Sequence, residues 1–176
     1  MKTRIIFLTA LATMIFLGCS KDSLVDPNED IRLLEMNQAK INANASKKTT
    51  PFHIKGFGEL EIVKPTECGF DNQVNMLGES KESQLGSLKT IWRNCTDFKY
   101  SNYIKGSHIS PNGDELYFYS DESGSDSVGN YYMIYYYGGT GQFTNANGKL
   151  KLYYQEKWDT TDKGKYWNEG KGSISF

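Results

Sequence analysis

From residue 51 onward, apolar and polar residues alternate with a period of two. Phe52, Ile54, Leu60 and Ile62 share one parity, and Lys55, Glu59 and Glu61 take the other. Near the C-terminus, Leu150, Leu152, Tyr154 and Trp158 oppose Lys149, Lys151, Gln155 and Lys157 in the same way. Successive side chains of a strand point to opposite faces, so this alternation predicts strands with one buried and one wet face. Turn signals separate the runs at Pro111–Asp114, Glu122–Asp126, Asn145–Gly148 and Asp159–Gly164. Asn-Gly corners such as Asn112-Gly113 suit hairpins because both residues accept positive φ. The predicted strands are 52–64, 85–95, 99–110, 114–120, 130–137, 149–158 and 166–176, with an eighth around 69–77. Their short connections make neighbours antiparallel.

A meander of this kind leaves two open edges unless it closes on itself. Gly56, Gly58, Gly170 and Gly172 fall on inward-facing positions, where glycine permits sharp coiling or close approach of facing elements. The expected fold is all-β, a small closed antiparallel barrel of seven or eight strands. A two-sheet sandwich is compatible with the same glycines.

The first 50 residues have a different pattern. Lys2 and Arg4 precede an uncharged apolar run from Ile5 to Leu17, and Gly18-Cys19 follows. Thirteen residues, eleven of them apolar, are too few to span a hydrocarbon core, which takes about 20 in a helix. A basic start, a short apolar stretch and a small residue before a cut define a cleavable export signal. With cysteine next in line, the segment resembles a bacterial lipoprotein signal, which implies cleavage before Cys19 and acylation of that residue. Two or more acyl chains there would hold a membrane stably. Residues 1–18 therefore read as the signal peptide, 19–50 as lipidated cysteine and tether, and 51–176 as the barrel domain. Within the tether, Asp26-Pro27-Asn28-Glu29 has the form of a helix start, and Ile31, Leu34 and Ile41 continue a weak apolar stripe. One short helix is expected near 27–40. Ser20-Lys21-Asp22, directly after the cysteine, is similar to signals that send lipoproteins to the outer cell surface. The expected location is the cell envelope, at the outer membrane, with exposure at the surface.

The whole chain carries 20 basic and 21 acidic residues. Loss of residues 1–18 removes two of the bases and no acid, leaving a mature charge of −3. That charge is small and evenly spread, so nucleic acid is excluded as an expected partner. Cys68 and Cys95 remain. An oxidising, exported environment permits a disulfide between them, closing a loop of about 26 residues, while two separate buried thiols are the alternative.

Gly138-Gly139-Thr140-Gly141-Gln142-Phe143, continuing to Asn147-Gly148, is similar to a stretch in allene-oxide-cyclase-like and dirigent-like barrels. Asn112-Gly113-Asp114 before Leu116-Tyr117-Phe118, and the ending Gly170 to Phe176, resemble that group too. Leu85-Gly86 after Gly78 resembles a short element of envelope lipoproteins with this barrel. Together these cover about residues 50–176 and imply a calycin-like antiparallel barrel with a central cavity. They are turn and packing motifs, and none carries a catalytic residue.

The remaining chemistry is sparse. Gly138–Gly141 lacks the following helix and the Gly-Lys-Ser/Thr of a phosphate loop, so it reads as a tight turn. The two histidines, His53 and His108, belong to no short-spaced ligand set, so neither a metal nor another cofactor is expected. No catalytic motif appears, and a binding or structural role is expected ahead of an enzymatic one. Glu156 shares inward parity with Tyr154 and Trp158, and a carboxylate in an apolar cavity orients a polar ligand or transfers protons. Tyr135-Tyr136-Tyr137 places rings on both faces of one strand, and Trp92 adds another aromatic. Glu156, Tyr154, Trp158, Tyr135 and Trp92 are the candidate ligand-binding residues. The expected ligand is a small apolar or amphipathic molecule. An isomerase or cyclase acting inside the barrel, and a glycan-binding module using surface aromatics, are the alternatives.

Overall fold

A computed structural model describes residues 48–66, 68–99 and 102–176. The signal peptide, Cys19 and the helix expected near 27–40 lie outside the described residues. Eight strands follow one another: β1 (Thr50–Val63), β2 (Asn72–Glu82), β3 (Gly86–Thr96), β4 (Asn102–Ile109), β5 (Glu115–Ser125), β6 (Asn130–Gly139), β7 (Asn147–Trp158) and β8 (Lys163–Ser175). Each is antiparallel to the next, and β8 pairs with β1 from Thr50↔Ile174 to Glu61↔Lys163. The barrel is closed, which removes the sandwich from consideration.

The alternation sets the inside. Phe52, Ile54 and Leu60 of β1, Leu150 and Leu152 of β7, and Tyr166 and Ile174 of β8 join one buried cluster with Trp92, Ile104, Phe118 and Tyr136. Gly58 and Gly78 face each other across β1 and β2. A methyl group on Gly58 would lie 2.2 Å from the Leu77 carbonyl oxygen and 2.8 Å from the Tyr166 ring. One on Gly78 would meet the Phe57 carbonyl oxygen at 2.1 Å. The glycine pair is thus the hollow that receives Tyr166. Packing leaves only about 10 Å³ between Ile54, Trp92, His108 and Tyr136, the room of about one water. The central cavity implied by the family resemblance is filled over this stretch.

Several strand boundaries differ from the sequence reading by two or three residues, and those of β2 and β5 by more. The strand expected around 69–77 runs from Asn72 to Glu82. Glu122–Asp126, read as a turn, mostly belongs to β5, which continues to Ser125. Register shifts between Leu116 and Phe118 and between Tyr119 and Glu122 absorb extra residues as bulges. The reversal is confined to Asp126–Gly129, where the Asp126 and Gly129 backbones bond each other at 3.0 and 3.2 Å.

Alternating strand direction sorts the connections to the two ends of the barrel. The β1–β2, β3–β4, β5–β6 and β7–β8 links lie at one end. The other three links, the start of β1 and the end of β8 lie at the opposite one. At the first end a disulfide joins Cys68 of the β1–β2 link to Cys95 of β3, with Cα atoms 5.4 Å apart. The Gln73 side-chain carbonyl accepts the Thr66 N–H at 3.1 Å and adds a second tie to that link. Replacing both cysteines with serine should lower unfolding stability by about 3 kcal/mol through the entropy of the freed loop. Urea denaturation measures this directly, and an unchanged midpoint would show that the bond constrains nothing.

Candidate functional site

Where the β1–β2 and β3–β4 links gather, the barrel opens into a cup of about 250 Å³. Tyr132 of β6 and Tyr154 of β7 line its deeper part as a stacked pair, ring centres 4.3 Å apart and planes 13° from parallel. Glu156 and Trp158 continue the inward row of β7 to the rim. Asn94 and Thr96 of β3 face them, and Asn102 of β4 donates its amide to the Ser123 hydroxyl at 3.1 Å. Phe98 and Lys99 complete the rim. Phe98 sits in the left-handed region (φ +57°), and its N–H bonds the Thr96 hydroxyl at 2.9 Å. That contact turns the chain just after β3, where Phe98 lines the mouth.

The electrostatics follow from position. Burial raises the Glu156 carboxyl above its ordinary value although the side chain keeps access to solvent, and the Trp158 indole N–H partly opposes the shift. Tyr132 is held far above the usual phenol range by burial first, then by Tyr154 and Glu156, with Asn94 acting in the other direction. Asn94 is 8% exposed, and its side-chain oxygen has no hydrogen-bond partner. The Asn102 side-chain oxygen is buried and lacks one as well. Such groups normally find partners, and these two oxygens line the same opening, where polar atoms of a ligand would meet them.

Three of the five sequence candidates therefore meet in the cup: Glu156, Tyr154 and Trp158. Trp92 and Tyr135 do not. Trp92 is 3% exposed in the core, edge-on to Tyr166 at 5.4 Å and to Phe118 at 6.2 Å. Tyr135 packs on the outer wall against Tyr119 at 5.3 Å, and its hydroxyl donates to Glu122 at 3.0 Å. Tyr117–Tyr137 and Tyr119–Tyr137 contacts extend this outer ring ladder, which explains the aromatics on both parities. His53 pairs with Glu169 at 2.9 Å on the outside. His108 lies in the core, linked to Thr90. Among the described residues, no group of three or more His, Cys, Asp or Glu side chains is arranged to hold a metal. In the Gly138–Gly141 turn, Thr140 accepts the Glu115 N–H at 2.9 Å, and Gln142 donates its N–H to Asp114 at 3.2 Å. The loop's groups serve the barrel.

Asn94, Asn102 and Tyr132 escaped the sequence reading. Their parity was available, since Asn94 shares the face of Trp92, and a polar residue on an inward face was the signal.

No protein-family profile and no curated protein matches the chain. Among solved structures, it is similar to two pterocarpan synthase dirigent proteins. One is 16% identical, covering 74% of this chain and 86% of that one, with a TM-score of 0.49. The other is 13% identical, covering 73% and 96%, also with a TM-score of 0.49. A pyocyanin demethylase is similar at 15% identity over 70% of this chain and 99% of that one, with a TM-score of 0.40. These likenesses concern the fold. The closed antiparallel barrel expected from the alternation is the architecture the chain adopts, with eight strands.

Proposed function

We propose that the chain is a lipid-anchored envelope protein that holds a small amphipathic ligand in the cup at the open end of its barrel. One observation carries the binding reading. The opening brings a stacked tyrosine pair, a carboxyl raised by burial and an unpaired buried amide oxygen around about 250 Å³. Mostly preformed concave sites with a few convergent polar groups are where small molecules bind. The filled middle of the barrel leaves little room for chemistry deeper inside, and the tyrosines of the outer ladder are engaged with one another. Both facts favour the cup over a reaction in the lumen or glycan capture on the wall. The anchor rests on the sequence around Cys19.

Native mass spectrometry of the detergent-extracted protein should reveal a retained small molecule that the Tyr154→Ala variant releases. A fragment screen read by N–H spectra should give shifts confined to the cup, including the Trp158 indole. A protein that retains nothing and gives no shifts there would overturn the binding reading. Labelling with an alkyne fatty acid tests the anchor separately, since Cys19→Ser should abolish incorporation.

A further inference from the structure

We infer that the cup prefers a small amphipathic amine, a protonated nitrogen on a ring-sized apolar body, over neutral or anionic molecules of the same shape. This rests on the proposed binding role and specifies its ligand.

The buried side-chain atoms of the cup that lack a hydrogen-bond partner are both acceptors. Asn94 offers a buried side-chain oxygen without a partner, and Asn102 offers a second. In the β3–β4 register Asn94 faces Ile104, so the inward-facing Asn102 sits diagonally beside it and the two oxygens belong to one patch of wall. The amide nitrogen of Asn102 is already committed to Ser123. From the β7 side, the Glu156 carboxyl lines the same space. Only a ligand rich in donors satisfies two amide oxygens and a carboxylate, and an ammonium group supplies three donors with no acceptor.

Charge points the same way. A carboxyl disfavoured by burial regains stability from a cation beside it, whereas an anion there would add repulsion. The faces of Tyr and Trp rings also attract cations, and Tyr132, Tyr154 and Trp158 supply rings around the same volume. Among the described residues lining the cup, Lys99 is the one cation, and it is exposed at the rim, where solvent screens it. The apolar part of the ligand would lie against the aromatic wall, and its nitrogen would face Asn94 and Glu156.

Phenethylamine, phenethyl alcohol and phenylacetate form a series of similar shape that varies charge and donors. Titrated into the full-length protein in detergent and followed by the Trp158 indole and cup N–H signals, phenethylamine should bind at least about tenfold more tightly than the alcohol. Phenylacetate should bind most weakly. Glu156→Gln keeps the shape and removes the charge, and should erase most of the preference for amine over alcohol without lowering the urea midpoint. Asn94→Leu should weaken the amine more than the alcohol. Should that variant fail to fold, Glu156→Gln decides alone. Equal binding of amine and alcohol, or a preference untouched by Glu156→Gln, would overturn the amine assignment and leave the cup as a site for another ligand. Silence from all three compounds, in a protein whose cup responds to other fragments, would overturn it too. A cup that responds to nothing would remove both this inference and the binding role beneath it.

Discussion

Acidification from pH 6.5 to about 3 should destabilise the barrel by about 1.4 kcal/mol per pH unit through one side chain, His108. This imidazole is buried in the core, and burial lowers its pKa from 6.5 to about 3. Its Nδ1 lies 2.9 Å from the Thr90 hydroxyl, which in turn lies 2.8 Å from Ser80. Its Nε2 is 3.3 Å from the Tyr136 hydroxyl, and the Phe118 ring lies 4.7 Å away. These partners satisfy a neutral ring. Below pH 6.5 the unfolded chain takes up a proton that the folded protein refuses, so stability falls with pH until the folded pKa is passed. The full loss is about 5 kcal/mol, comparable to the net stability of many domains.

Other groups contribute in recognisable ways. The Glu169 carboxyl, held low by Lys55 and His53, and that of Asp126, held low by Lys151, lose their stabilisation only as pH falls below ordinary carboxylate values. Glu156 acts with the opposite sign. Its raised pKa lets the folded state take up a proton first, which offsets part of the loss just above pH 4.5. Urea denaturation across this range, compared with His108→Gln, isolates the histidine. The variant should show a slope smaller by one proton between pH 6.5 and 4.5. Identical slopes would mean that the ring is already charged in the folded barrel.

Trp92→Ala should cost about 3–5 kcal/mol of folding stability, the range for emptying a large aromatic from a packed core. The indole fills the space between Phe118 and Tyr166, and its Cβ lies against Gly106, where an added methyl would come within 2.7 Å of it. Trp158→Ala, at a rim position 37% exposed, should change stability by about 1 kcal/mol or less and act on ligand affinity. Parallel denaturation and binding titrations separate the two tryptophans. A Trp92→Ala protein of normal stability but impaired binding would contradict its place in the core.

The contrast between those tryptophans shows how far the chain can be read without its structure. Period-two alternation places Trp158 on the inward row of β7, where it lines the cup, and in the structure Trp92 of β3 points inward too. Parity fixes the side of a strand but not the height along the barrel axis, and height separates packed core from open mouth. Glu156 and Tyr154 were legible because β7 runs without a bulge from Asn147 to Trp158. β5 was misjudged because Glu122-Ser123-Gly124-Ser125 has turn composition. There Ser120 donates its hydroxyl to the Glu122 carbonyl at 3.0 Å, and Gly124 leaves room for the Tyr131 ring. Both contacts depend on the bulge and its neighbouring strand. Asn94, Asn102 and Tyr132 come from three strands, and only closure of the sheet sets them around one space.

The start of β1 lies at the barrel end remote from the cup, because an even number of antiparallel strands returns the last one to the floor where the first began. On the proposed anchoring at Cys19, the leash would join the barrel at its foot, like a goblet's stem, and leave the bowl at the far end. Cargo would then arrive from, and leave into, the aqueous side, and handover to another protein would not require release from the membrane.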